Sequence, residues 1–179
     1  MVKRPPSRKT FRESALADEK VQQLFVMLRK GMYAINFPEN YNSIQTMHST
    51  RMTRHIKRKE LMGDFQDNYV DSVLQTQAFR SRVVEIKMET FKVRGLLKSH
   101  IEALSARLST NASIKEYTTV SARKMATNEI LSPAIKTLDK MTNLIDYADL
   151  VIADLDKSAW ALKNILDAMQ LNQARTHEI

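Results

Sequence analysis

Residues 131–169 read LSPAIKTLDKMTNLIDYADLVIADLDKSAWALKNILDAM. In this stretch Leu131, Ala134, Leu138, Met141, Ile145, Ala148, Ile152, Leu155, Ala159, Leu162, Leu166 and Met169 recur in alternating steps of three and four. That is the spacing of a heptad seam. It lays a narrow apolar stripe along a helix of about 40 residues, roughly 60 Å at 1.5 Å per residue. A stripe so long needs another long helix to cover it. Leu144, Val151 and Ile165 flank the stripe and widen it, which points to three or four packed helices over a bare two-stranded coil. Ser132 and Pro133 make a favourable start for this helix, with Leu131 as a staple residue ahead of it.

Outward from the seam the chain stays helical. Phe65, Tyr69, Val73, Val83, Ile86, Val93, Leu97, Ile101, Leu104 and Leu108 sit at helical spacings, so one long helix is expected from about Asp64 to Leu108. Leu108–Ser113 breaks it, and Ser113 with Glu116 resembles a capping box opening a shorter helix through Ile130. Near the start, Ala17, Val21, Leu24, Phe25, Leu28 and Met32 share one face of a helix from about Ser14 to Gly31. Residues 36–42, rich in breakers, read as a linker, after which Ser43 caps a second short helix reaching about Lys59. The expected organisation is a disordered basic arm over 1–12 and two short helices over 13–60. A long-helix bundle or coiled coil follows over 61–172, then a frayed tail over 173–179. The fold class is all-α: an elongated helical bundle or coiled coil with long helices.

Composition supports that class. Three glycines and four prolines leave few interruptions, and alternating β-branched strand patterns are missing. No apolar run is long enough to cross a bilayer, and the first residues lack the apolar segment of a secretory signal. With no cysteine there are no disulfides. A reducing compartment, cytoplasm or nucleus, is therefore expected, with the chain neither secreted nor transmembrane. Charge is uneven along the sequence: residues 1–95 hold 18 Lys and Arg against 10 Asp and Glu, while residues 96–179 hold 10 of each. A basic first half joined to a neutral helical remainder suggests contact with an acidic surface such as nucleic acid, anionic lipid or a microtubule.

Catalytic chemistry finds no foothold. His48 and His55 are two helical turns apart, too far for joint metal ligation, and His100 and His177 stand alone. Asp146, Asp149, Asp154 and Asp156 interleave with the stripe and read as a solvated face. There is no phosphate-binding glycine loop and no HExxH. No enzyme activity, cofactor, metal or small-molecule substrate is expected. The partner-helix seam is assigned to Leu138, Met141, Ile145, Ile152, Leu155, Leu162, Leu166 and Met169. Trp160, the single tryptophan, lies off the stripe, where either another helix of the chain or a partner must bury it. Arg51, Arg54, Lys57, Arg58 and Lys59 form the densest basic run, an acidic-surface contact. Ser7 and Thr10, each preceded by basic residues, are candidate phosphorylation sites that would cancel charge on the arm.

These features suggest a non-enzymatic structural subunit of a multiprotein helical assembly, on the cytoskeletal or chromosome-segregation side of the cell. Its partners would be other helical proteins, in a homo- or hetero-oligomer. A nucleic-acid-coating protein is an alternative reading. Residues 1–60 and 135–170 also resemble, in outline, the ESCRT-III proteins, in being a small all-helical chain with a basic first half. That resemblance implies a membrane-remodelling polymer subunit with peripheral membrane contact. The family's acidic-Leu-x-x-Arg-Leu motif is only loosely approximated by Leu155-Asp-Lys-Ser-Ala-Trp160-Ala-Leu162-Lys163.

Overall fold

The computed structural model describes residues 10–60 and 65–177, and within these it describes the side chains outside 51–70, 112, 166 and 169–177. Among the described residues the protein is all-α. The helices are α1 (Phe11–Leu16), α2 (Glu19–Arg29), α3 (Phe37–Glu60), α4 (Phe65–Ser109), α5 (Val120–Ile130) and α6 (Ser132–His177), with a 3-10 turn at Ala112–Glu116. No helix among the described residues is long and apolar enough to cross a membrane.

Two compact units emerge, each built from both halves of the sequence. Among the described residues, the first joins 10–35 to 91–142, and the second joins 36–60 and 65–90 to 143–177. In the first unit, the helix expected from Ser14 starts earlier and is broken once. Thr10 accepts from the Glu13 amide while the Glu13 carboxylate accepts from the Thr10 amide, a reciprocal cap that starts α1 at Phe11. Phe11 is buried, edge-on to Tyr117 at 5.8 Å. Thr10–Arg12 thus leaves the expected disordered arm, and residues 1–9 lie outside the described ones. Asp18 then caps α2 through the Lys20 amide, and its other oxygen accepts from Arg107 Nε of α4 at 2.8 Å. That charged hydrogen bond holds the Asp18 carboxyl below its ordinary pKa. Gly31, at φ +74°, ends α2, with its amide donating to Leu28 and the Met32 amide donating to Met27. These two bonds complete a Schellman cap, and the positive φ is why glycine stands there.

In the second unit, α3 begins inside the expected linker. The Asn36 side chain accepts from the Glu39 amide, and Pro38 falls in the first turn, where a missing N–H is harmless. Asn36 therefore caps the helix in place of Ser43. Pairs from α3 and α4 converge on α6 at seven-residue intervals. Tyr41 meets Tyr147 and His48 meets Asp154, so α3 runs parallel to α6. Arg80 meets Asp156 and Lys87 meets Asp149, so α4 runs antiparallel. Ile44, Val83, Ile86, Leu144, Val151 and Leu155 are buried in this unit.

The buried side of α4 explains why its pattern is faint in the sequence. Ser72, Thr76, Val83, Ile86, Thr90, Leu97, Leu104 and Leu108 are buried, a column in which hydroxyls stand among aliphatic side chains. Thr76 and Thr90 donate to the carbonyls of Ser72 and Ile86, four residues back, so each hydroxyl is satisfied by its own helix. Between α4 and α5, Asn111 caps the 3-10 turn and Thr119 caps α5, where Ser113 had been expected. At the far end α6 extends to His177, past the expected fraying point at 173.

Candidate functional site

A side chain is available to a partner only if the chain leaves it uncovered, and α6 separates the two cases cleanly. Met141, Ile145, Leu155 and Leu162 of the seam are buried, and Leu138 and Ile152 are half-buried. The side chains of Leu166 and Met169 lie outside the described ones. The described seam is therefore covered within the chain, and its buried members are not free to receive a partner helix. The reason is the one that made a cover necessary: an apolar stripe left in water costs about 25 cal/mol for each Å² exposed, and helices of the same chain are closest at hand.

Across from the stripe, α6 carries a second apolar set left exposed among the described residues. Leu150 is 72% exposed and Trp160 68%, with Ile165 also exposed. At 100° per residue these three lie within a sector of about 140°, and the exposed Ala153, Ala161 and Ala168 fall in the same sector. Of the two fates open to Trp160, packing inside the chain is not the one adopted.

The four aspartates interleaved with the stripe do more than face solvent. Asp149, Asp154 and Asp156 reach Lys87, His48 and Arg80 at 2.6, 2.9 and 2.5 Å, fixing the register of α3 and α4 on α6. Beside them the Tyr41 hydroxyl has its pKa raised, first by burial and then by the charge neighbourhood of Tyr147 and Asp146. The signal for these contacts was present as charges seven residues apart on both helices: 80 and 87 on α4, 149 and 156 on α6. Among the described residues no cluster of three or more His, Asp or Glu is placed to hold a metal ion.

The basic run Arg51, Arg54, Lys57, Arg58 and Lys59 belongs to α3 by backbone, and its side chains lie outside the described ones. Ser7 lies outside the described residues, while Thr10 is the exposed cap of α1. Folding also redistributes the charge. Counted over the described residues, the first unit collects 13 Lys and Arg against 7 Asp and Glu, and the second 11 against 11. The excess of positive charge thus belongs to a unit drawn from both halves of the sequence, one that excludes the 51–59 run.

A junction in that basic unit was not foreseen. Tyr33, just past the cap of α2, is buried and shares a short hydrogen bond with His100 of α4, their rings edge-on at 5.9 Å. Burial raises the Tyr33 pKa. This contact brings the end of α2 to the middle of α4. The sequence carries no signal of it, and Met32, expected on the apolar face of its helix, is left exposed next to Tyr33.

No protein-family model, curated protein or solved structure matches the chain.

Proposed function

We propose that this chain is a non-enzymatic structural subunit of a multiprotein helical assembly, of the cytoskeletal or chromosome-segregation kind, in which α6 packs against partner helices. The docking face in this reading is the outward one, Leu150, Trp160 and Ile165, with the seam serving the chain's own fold. The observation that carries it is Trp160, a residue type enriched at interface hot spots, standing in solvent on a helix whose other side is already packed. A coiled-coil geometry for that contact follows from the length of α6 and from cross-helix pairs that already recur every seven residues on its flanks. The basic residues supply a second contact, with an acidic surface.

The test is affinity purification of the tagged chain from its native cell after nuclease treatment, beside a Leu150→Ser, Trp160→Ser double variant. A stoichiometric set of helical proteins that survives salt with the parent chain and is lost with the variant is the expected result. An identical set from both, with the variant's helicity and melting unchanged, refutes the outward face as the docking surface.

A further inference from the structure

The junction between the end of α2 and α4 gathers unpaired cations and exposed apolar side chains from distant parts of the sequence. Arg29, Lys30 and Met32 flank Tyr33 in sequence, and Tyr33 bonds to His100 of α4. One turn before His100, on the same side of α4, stands Leu96, and one turn before that, Lys92. Met32 is 64% exposed and Leu96 61%. Arg29, Lys30 and Lys92 are exposed and make no ion pair with any described carboxylate; the nearby Arg107 and Lys98 are occupied by Asp18 and Glu102. The helix dipole alone favours cations at the end of α2. It gives no reason for two large apolar side chains left in water beside them, nor for Lys92.

We propose that this patch binds the surface of an anionic bilayer, with Arg29, Lys30 and Lys92 at the level of the lipid phosphates and Met32 and Leu96 entering the acyl boundary. The proposal rests on the acidic-surface contact in the reading above and names that surface. Charge complementarity selects a polyanion, since the described residues of this unit hold 13 Lys and Arg against 7 Asp and Glu. Among polyanions, a nucleic acid satisfies the cations through its phosphates and leaves Met32 and Leu96 idle. An anionic bilayer uses both, pairing headgroup charge with an apolar layer a few ångströms beneath.

Co-sedimentation of the full chain with vesicles of phosphatidylcholine, with and without phosphatidylserine, tests this directly. Binding that requires phosphatidylserine is expected. Arg29→Glu, Lys30→Glu, Lys92→Glu should weaken it on the order of a hundredfold, from roughly fivefold for each cation lost near a charged bilayer. Met32→Ser, Leu96→Ser leaves the charge intact and should weaken it about tenfold. Lys157→Glu, Lys163→Glu, in the other unit, should leave it within about twofold, because those residues lie outside the patch. All these positions are exposed, and circular dichroism checks that each variant stays folded. Absence of phosphatidylserine-dependent binding overturns the proposal, as does binding indifferent to both patch variants. Nucleic-acid binding that needs the three cations and ignores Met32 and Leu96, without vesicle binding, assigns the patch to nucleic acid instead. Failure of the parent chain to bind phosphatidylserine vesicles while its α6 partner set is recovered refutes the bilayer alone; failure to recover any partner set while vesicle binding is intact refutes the docking face alone.

Discussion

Leu150 and Leu155 are five residues apart on α6, and truncating each to alanine should give opposite results. Leu155 is fully buried, so Leu155→Ala removes three heavy atoms from a packed interior and leaves a cavity. Such truncations cost 2–5 kcal/mol, and about 3 is expected here. For a chain of 179 residues, each kcal/mol moves the melting midpoint by about 2–4 °C, so a fall of roughly 6–12 °C follows. Leu150 is 72% exposed, and Leu150→Ala should stay within about 0.5 kcal/mol of the parent. The assay is thermal and denaturant unfolding of the purified chain by circular dichroism, at protein concentrations about tenfold apart. A loss below about 1 kcal/mol for Leu155→Ala would sink the reasoning, since a filled interior cannot lose three heavy atoms so cheaply. So would a midpoint that climbs with protein concentration, because the stripe would then be covered by a second molecule. The harsher pair Ile152→Asp, Leu155→Asp separates the same alternatives: it should unfold the isolated chain, not merely dissociate an assembly.

Three further outcomes follow from local geometry. Gly95 sits within α4 with open space where a Cβ would go, so Gly95→Ala should raise stability by about 0.5–1 kcal/mol in denaturant titration. Gly31→Ala should lower it by about 1 kcal/mol, because φ is +74° and the new Cβ would meet Ala34 Cβ at 3.3 Å. The hydrogen bond from Arg107 holds the Asp18 carboxyl below its ordinary value, so its contribution is present above the unfolded carboxylate pKa and fades as pH falls through the folded one. Arg107→Ala should therefore destabilise at neutral pH by a margin that closes as the Asp18 carboxyl protonates in acid, measured as midpoints across an acid series; a pH-independent margin counts against the pair.

Local order was widely legible in the sequence. The ends of α4, the start of α6 and the stop of α2 at Gly31 fall close to their expected places, because caps, breakers and 3-4 spacing act over a few residues. Two boundaries were misread for reasons that are also local. Asn36 with Glu39 forms a cap ahead of Pro38, and Thr10 with Glu13 forms one ahead of Phe11, yet both pairs sit in stretches whose prolines or basic residues suggested loop. The buried column of α4 was partly hidden, since Thr76 and Thr90 read as polar until their hydroxyls are seen bonding back to the helix.

The sequence by itself determined that this is an all-helical chain and that α6 carries a stripe needing a cover, since both follow from side-chain periodicity and intrinsic propensity along one helix. Only the tertiary structure decided what supplies that cover, because a 3-4 stripe is the same whether the neighbouring helix belongs to the same chain or another. It likewise decided where the charge resides. Residues 10–35 associate with 91–142, so much of the basic excess assigned to one half of the sequence becomes the property of a folded unit drawn from both. The end of α2 meets His100 of α4 for the same physical reason: packing joins residues by the surfaces they bury, and periodicity carries no record of which surfaces meet.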